Sequence, residues 1–212
     1  MEKIGDRVYH LPEIVGGPSI LLGETVVLVD TGVPDSAEAI VGALEEVGRS
    51  AEDVTDIVIT HADGDHVGSL SALVARTGAT VWAGDHEADV IEGKAPHRGR
   101  DTKRTAAVDR RFVPGETLPL HDGIDTVDTH GHTAGHVSLF LAQDRILIAG
   151  DALNNVEGLG GSREQYTANP ADARTAVSTL AALRPDSIVF GHGPSIVGGA
   201  AEQLEELDRR LA

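Results

Sequence analysis

Apolar positions along the chain recur with two different periods, and the change from one to the other marks the elements. "RVYHL", "SILLGE" and "TVVLVDTG" are short apolar runs parted by Gly, Pro and Ser, and they predict three strands before residue 33. The period then becomes helical. Ile40, Val41, Leu44 and Val47 follow Pro34 and Asp35, which predicts a helix that Gly48 ends. "TDIVIT" suits a buried strand, and "DHVGSLSALVARTG" predicts a helix with Val67, Leu70, Leu73 and Val74 on its apolar face. "TVWAG" predicts a strand and "DHEADVIEG" a short helix, while residues 93–111 show no period. Strands return in "DTVDTH", "VSLFLA" and "DRILIAGD"; a Gly- and Asn-rich loop precedes the helix "PADARTAVSTLAAL"; the strand "DSIVF" and the helix "GGAAEQLEELDRRL" close the chain. This order predicts an α/β fold in one domain over 1–212. Two packed sheets with helices outside and a doubly wound sheet both fit the pattern.

Four segments share one format, with ligand-type residues just past an apolar run: "IVITHADGDH", "TVDTHGHTAGH", "RILIAGD" and "SIVFGHG". Loops at strand ends are where a rigid scaffold can converge side chains from distant positions. The residues so placed are His61, Asp63, Asp65, His66, His132, Asp151 and His192, four imidazoles and three carboxylates. A tetrahedral zinc site uses three or four protein ligands, so this set suits two divalent ions better than one. The chain has no cysteine, which excludes disulfides, thiolate ligands and a catalytic thiol together.

These motifs resemble those of the metallo-β-lactamase-fold hydrolases. "HADGDH" is similar to the family pattern H-x-H-x-D-H at three of its four positions, and "GHTAGH", "AGD" and "FGHG" match the later motifs in the family's order. "VLVDTG" resembles its early strand and turn. The likeness covers roughly residues 7–194, and its glyoxalase-II-like branch is the most similar. It implies a four-layer αβ/βα sandwich and a dinuclear centre, with zinc expected and Mn or Fe as alternatives. His61, Asp63 and His132 would bind one ion, Asp65, His66 and His192 the other, and Asp151 would bridge. Asp65 and Asp151 would be the catalytic carboxylates, with Asp30 standing behind the ligands. Asp63 departs from the pattern, because the family has a second His there. An oxygen donor adds negative charge and hardens the site toward Mn or Fe.

The resemblance implies a hydrolase that directs an activated water at an ester-like bond, a thioester first and a lactone second. Two other classes fit the fold: an iron-dependent oxidoreductase resembling persulfide dioxygenases, and a non-catalytic metal-binding protein. The chain is shorter than a glyoxalase II that carries a separate glutathione-binding domain, so the resemblance carries no claim on glutathione itself. The start "MEKIGDRVYHLPEIVGG" has no signal-peptide pattern and no run approaches a membrane span, so the cytoplasm is expected and a β-lactamase is disfavoured.

Charge narrows the partners. The net charge is −17, with 34 acidic against 17 basic residues and only Lys3, Lys94 and Lys103 as lysines. Nucleic acid and anionic membranes would be repelled. The expected partner is a small molecule, and a homo-oligomer is compatible with the sequence. A carboxylate-dense, lysine-poor surface suits a halophile, and a GC-rich genome explains the arginine bias equally well. Seven basic residues gather between Lys94 and Arg111. They read as a solvated counterweight to the acidic surface or as a clamp for an anionic substrate group, with Arg98 and Arg104 the candidates. The loop 154–166 reads as a mobile cover with Asn154 and Tyr166 as substrate contacts. His136 reads as a structural hydrogen-bonding residue, and His10, His86, His97, His121 and His130 as ordinary capped or solvent-facing side chains.

Overall fold

Two sheets grow from the short apolar runs, one in each half of the sequence. The computed structural model describes residues 1–98 and 105–212. They divide into two compact units, Met1–Phe112 and Val113–Ala212.

The described residues of the first unit form a seven-stranded sheet. Strands β1 (Glu2–Lys3), β2 (Val8–His10), β3 (Ser19–Leu22) and β4 (Val26–Val29) pair antiparallel in sequence order. From β4 onward pairing is parallel, through β5 (Val54–Ile59), β6 (Thr80–Gly84) and β7 (Arg110–Phe112). Parallel strands need crossovers, and helices α1 (Ala37–Glu46), α2 (Leu70–Thr77) and α3 (Asp85–Ile91) lie in the connections. All four residues of β4 and the last three of β5 are buried, so these strands are apolar without alternation. Ile40 and Leu44 of α1, Leu70 and Leu73 of α2, and Ile20, Leu28, Ile57 and Val81 of the sheet share one core.

The helix expected from Asp65 begins only at Leu70. The His66 carbonyl and the Gly68 N–H go to a neighbouring turn instead of to a helix. The His66 carbonyl accepts the Thr31 N–H at 2.7 Å and the Thr31 hydroxyl at 2.8 Å, and the Gly68 N–H donates to the Gly32 carbonyl at 2.9 Å. Backbone groups satisfied in this way cannot also build a helical turn.

In the second unit a five-stranded sheet has the order β14-β11-β10-β9-β8. β8 (Thr117–Leu118), β9 (Ile124–Asp128), β10 (Val137–Leu141) and β11 (Ile146–Ile148) pair antiparallel. After them come β12 (Leu153–Asn154) and β13 (Gly160–Gly161), a separate ribbon inside the segment expected to be a plain loop. The last strand, β14 (Ser187–Val189), lies parallel to β11. Helix α4 (Pro170–Ala182) has Pro at its first position, and the Asn169 side chain caps it by accepting from Ala171 and Asp172 N–H. It packs with α5 (Ala200–Leu211) over Leu147, Ile188 and Phe190, burying Val177, Leu180, Leu204 and Leu207. Among the described residues no helix is long and apolar enough to cross a membrane.

Candidate metal centre

In the first unit, parallel register sets the ligand-type residues. β4 and β5 run side by side with Val29 opposite Val58, so Asp30 leaves one strand beside Thr60 and His61 leaving the other. Asp30 sits at φ 59°, a left-handed conformation that Asp tolerates better than most residues. Its buried carboxylate is fully used. Oδ1 accepts the Thr60 N–H at 2.9 Å, while Oδ2 accepts the Thr60 hydroxyl at 2.7 Å and lies 2.8 Å from His66 Nδ1. The Thr60 hydroxyl also lies 3.0 Å from His61 Nδ1. Both imidazoles are 0% exposed, and each is gripped at Nδ1, which makes Nε2 the nitrogen for coordination. Asp65 and His66 each offer a ligand atom within 4.8 Å of the other's. The Asp65 backbone is pinned from behind by Gly16: a Cβ there would fall 1.9 Å from the Asp65 carbonyl oxygen, and φ is +87°.

Asp63 is the crowded position. Its Oδ2 lies 3.5 Å from His61 Nε2. Arg98 holds the carboxylate with two donors, Nη2 to Oδ2 at 2.7 Å and Nε to Oδ1 at 3.2 Å, and His97 Nε2 contacts Oδ1. Arg98 is therefore committed to a carboxylate of its own chain. Lys94 and Arg111 are committed too, both to Glu92, with Arg111 also on Asp89. Those two cations hold the Glu92 carboxyl down to about 2. The basic residues described in this segment thus work largely as internal counter-ions. Arg104 lies outside the described residues.

The second unit uses register the same way. β11 and β14 are parallel with Ile148 opposite Val189, so Asp151 and His192 stand three residues past paired positions. The Gly191 N–H to Gly150 carbonyl bond of 3.0 Å continues the pairing toward them. Gly193 makes the approach feasible, since a Cβ would lie 2.4 Å from the Asn155 carbonyl. Asp151 Oδ2 ends 3.3 Å from His192 Nε2 and 3.4 Å from His132 Nε2. His132 comes from the β9–β10 connection, and its Nδ1 lies 2.9 Å from the Ser162 hydroxyl, itself 2.8 Å from the Thr167 hydroxyl.

His136 is buried. Its Nε2 accepts the Asp151 N–H at 3.0 Å, so the proton sits on Nδ1 and points to the Thr129 hydroxyl, 2.8 Å away. The imidazole thereby fixes the backbone of Asp151. Asn154 closes the β12–β13 ribbon by donating to the Gly161 carbonyl at 2.6 Å. Tyr166 is 53% exposed, with the Arg163 guanidinium 5.4 Å from its ring centre. Among the histidines read as ordinary, His86 is half exposed, while His130 is exposed and its pKa is raised by the hydrogen bond to Asp128. His10 and His121 have buried side chains instead, near Glu2 and Asp144.

Three contributors distant in sequence from the residues they support were missed. Glu87, 1% exposed on α3, accepts the Ala62 N–H at 2.8 Å and so holds the turn between His61 and Asp63. A signal existed: Glu87 shares its helix face with Val90 and Ile91, and an acid on an apolar stripe needs a partner. His97 was read as ordinary, and Ser162 has no sequence signal at all.

The donors are imidazole and carboxylate, largely buried and oriented from behind, which suits divalent ions of the zinc, manganese or iron type. The comparisons with known proteins bear on the family. The model of the metallo-beta-lactamase superfamily matches residues 15–192. "Probable metallo-hydrolase YflN" of Bacillus subtilis (strain 168) is 27% identical over 217 residues, covering 88% of this chain and 82% of that protein. A hydroxyacylglutathione hydrolase of Rhizobium meliloti (strain 1021) is 30% identical over 151 residues, covering 70% of this chain and 52% of its own length. In structure the chain is similar to the metallo-beta-lactamase family protein TTHA1429 from Thermus thermophilus. The TM-score is 0.73 at 23% identity, over 96% of this chain and 78% of that one. BJP-1, a subclass B3 metallo-beta-lactamase of Bradyrhizobium japonicum, gives 0.70 at 23% identity, over 89% and 76%. The chain belongs to the metallo-beta-lactamase superfamily and is a metallo-hydrolase with its α/β fold.

Proposed function

We propose that the chain hydrolyses an ester-like bond of a small molecule, a thioester first and a lactone second, at a centre of two divalent ions. Zinc is the expected metal. His61, Asp63 and His132 hold one ion, Asp65, His66 and His192 the other, and Asp151 serves both. Support for two ions comes from the division of labour among these side chains. Asp151 Oδ2 stands 3.4 Å from His132 Nε2 and 3.3 Å from His192 Nε2, beside one imidazole of each set, and each distance is what two ligands of one ion would show with metal–ligand bonds of about 2 Å. The observation that carries the thioester is the likeness to hydroxyacylglutathione hydrolases, one of which is 30% identical over 161 residues and covered over 57% of its length.

When bound, the ions supply Lewis-acid activation of water and of the acyl oxygen. The chain's own residues supply position and charge. Thr60, Asp30 and Ser162 hold three of the four imidazoles, His61, His66 and His132, by Nδ1, which leaves Nε2 for a metal ion. Asp65 and Asp151 bring negative charge that keeps the ions in place and offers acceptors for the water's proton. Glu87 and His136 act on the backbone of Ala62 and Asp151 and keep the carboxylates from drifting.

Turnover of a panel of S-acyl thioesters and lactones by metal-loaded protein tests this reading. Thioester cleavage that disappears on chelation and returns with zinc is the expected result. A fully loaded protein that cleaves neither class would overturn the reading, as would one iron per chain with oxygen uptake on a persulfide.

A further inference from the structure

Asp63 and Asp151 invite comparison, because each places a carboxylate oxygen beside an imidazole Nε2. The distances are 3.5 Å from Asp63 to His61 and 3.4 and 3.3 Å from Asp151 to His132 and His192. What surrounds the two carboxylates differs. Asp63 is clasped by a guanidinium through both of its oxygens, and the imidazole of His97 also contacts it. The clasping residue, Arg98, lies at φ 49°, a left-handed conformation unusual for a non-glycine residue and one that persists where other contacts over-determine it.

We propose that Asp63 and Arg98 act as one unit, in which Asp63 reaches the first ion through Oδ2 while Arg98 cancels the added charge and fixes the carboxylate's plane. This rests on the proposed placement of the first ion beside His61. Charge arithmetic motivates it. A neutral imidazole at position 63 would leave Asp151 as that ion's single negative ligand; a bare Asp63 would make two. The Asp63–Arg98 pair is neutral as a whole, so it restores the electrostatic balance of an imidazole while presenting an oxygen donor. The paired donors in a rigid fork suit a planar carboxylate and would not be reproduced by a lysine. Arg98 is then a positioning residue, and its guanidinium is not the clamp for an anionic substrate.

The pairing predicts strong dependence between the two positions. Metal content by elemental analysis and affinity by chelator competition are measured with zinc on the wild type, D63H, R98A and the double variant. D63H restores an imidazole but strands the guanidinium beside it, so zinc at the first site weakens by about tenfold or more. Adding R98A to D63H removes that cation and recovers about the same factor. Three results overturn the proposal, and the first two are D63H binding zinc as tightly as the wild type and R98A leaving the D63H protein unchanged. The third is R98A raising KM for anionic thioesters alone, with zinc affinity unaltered. If circular dichroism shows D63H unfolded, D63N with and without R98A reads the same dependence. A wild type that binds no zinc at all refutes the metal centre itself, which is a separate failure.

Discussion

The two units hold their imidazoles by different chemistry. In residues 1–112 the supporting groups are ionisable or backed by one that is: Asp30 sits behind His66 and also accepts from the Thr60 hydroxyl that holds His61, Glu87 lies under the ligand turn, and Arg98 against Asp63. In residues 113–212 they are hydroxyls, Ser162 behind His132, and Thr129 followed by Ser138 behind His136. A carboxylate on an imidazole N–H raises the basicity of the other nitrogen as well as orienting the ring, whereas a hydroxyl mainly orients. A buried carboxylate is costly unless it is hydrogen-bonded, and Asp30 meets that condition with three partners. The first unit is thus built to tune its donors, and the second to hold its own still.

That contrast can be broken by mutation. Asp30→Asn keeps the shape and one acceptor but removes the charge behind His66. It should weaken zinc binding by about 100-fold, the upper end for such outer partners, as read by chelator competition. Ser162→Ala should cost only about tenfold by the same measurement. Equal losses in the two variants would mean that both partners merely orient. Glu87→Ala frees the Ala62 N–H and should weaken binding by about tenfold, while Glu87→Gln, which retains an acceptor, should lose less.

The smallest effect concerns acid stability away from the ligands. The Glu92 carboxyl is held down to about 2 by Lys94 and Arg111, below its ordinary 4.5. A depressed folded value contributes stability that is present above the unfolded value and lost as pH falls through the folded one. Stability should therefore decline between about 4.5 and about 2 partly through this residue. In urea melts across that window Glu92→Gln should show a shallower decline than the wild type; identical slopes would remove Glu92 from the account.

Much of this was legible in the sequence because the ligand-type residues are local. "HADGDH" delivers four of them within six positions behind a buried strand, and "AGD" and "FGHG" deliver Asp151 and His192 behind two others. The strands themselves were readable from continuous apolar runs, since burial on both faces leaves β4 and the end of β5 without polar positions. The start of α2 was not readable. Val67 has the right spacing, but its neighbours His66 and Gly68 bond to Thr31 and Gly32, a tertiary choice that no local period encodes. The supporting contacts were hidden for a similar reason: Ala62 meets Glu87 across 25 residues, His132 meets Ser162 across 30 and Asp63 meets Arg98 across 35. Only register and crossover length bring such pairs together. Of the two readings of the basic segment, counter-charge and anion clamp, the Asp63–Arg98 pair favours the first for Arg98.

Metal stoichiometry on the purified chain and its Asp151→Ala variant bears most directly on the central claim, because Asp151 is the one ligand assigned to both ions. Elemental analysis after zinc loading should give two ions per wild-type chain, with both sites depleted in Asp151→Ala and thioester cleavage lost along with them. A variant that keeps two ions and full turnover, or a wild type that accepts no divalent ion, would contradict it.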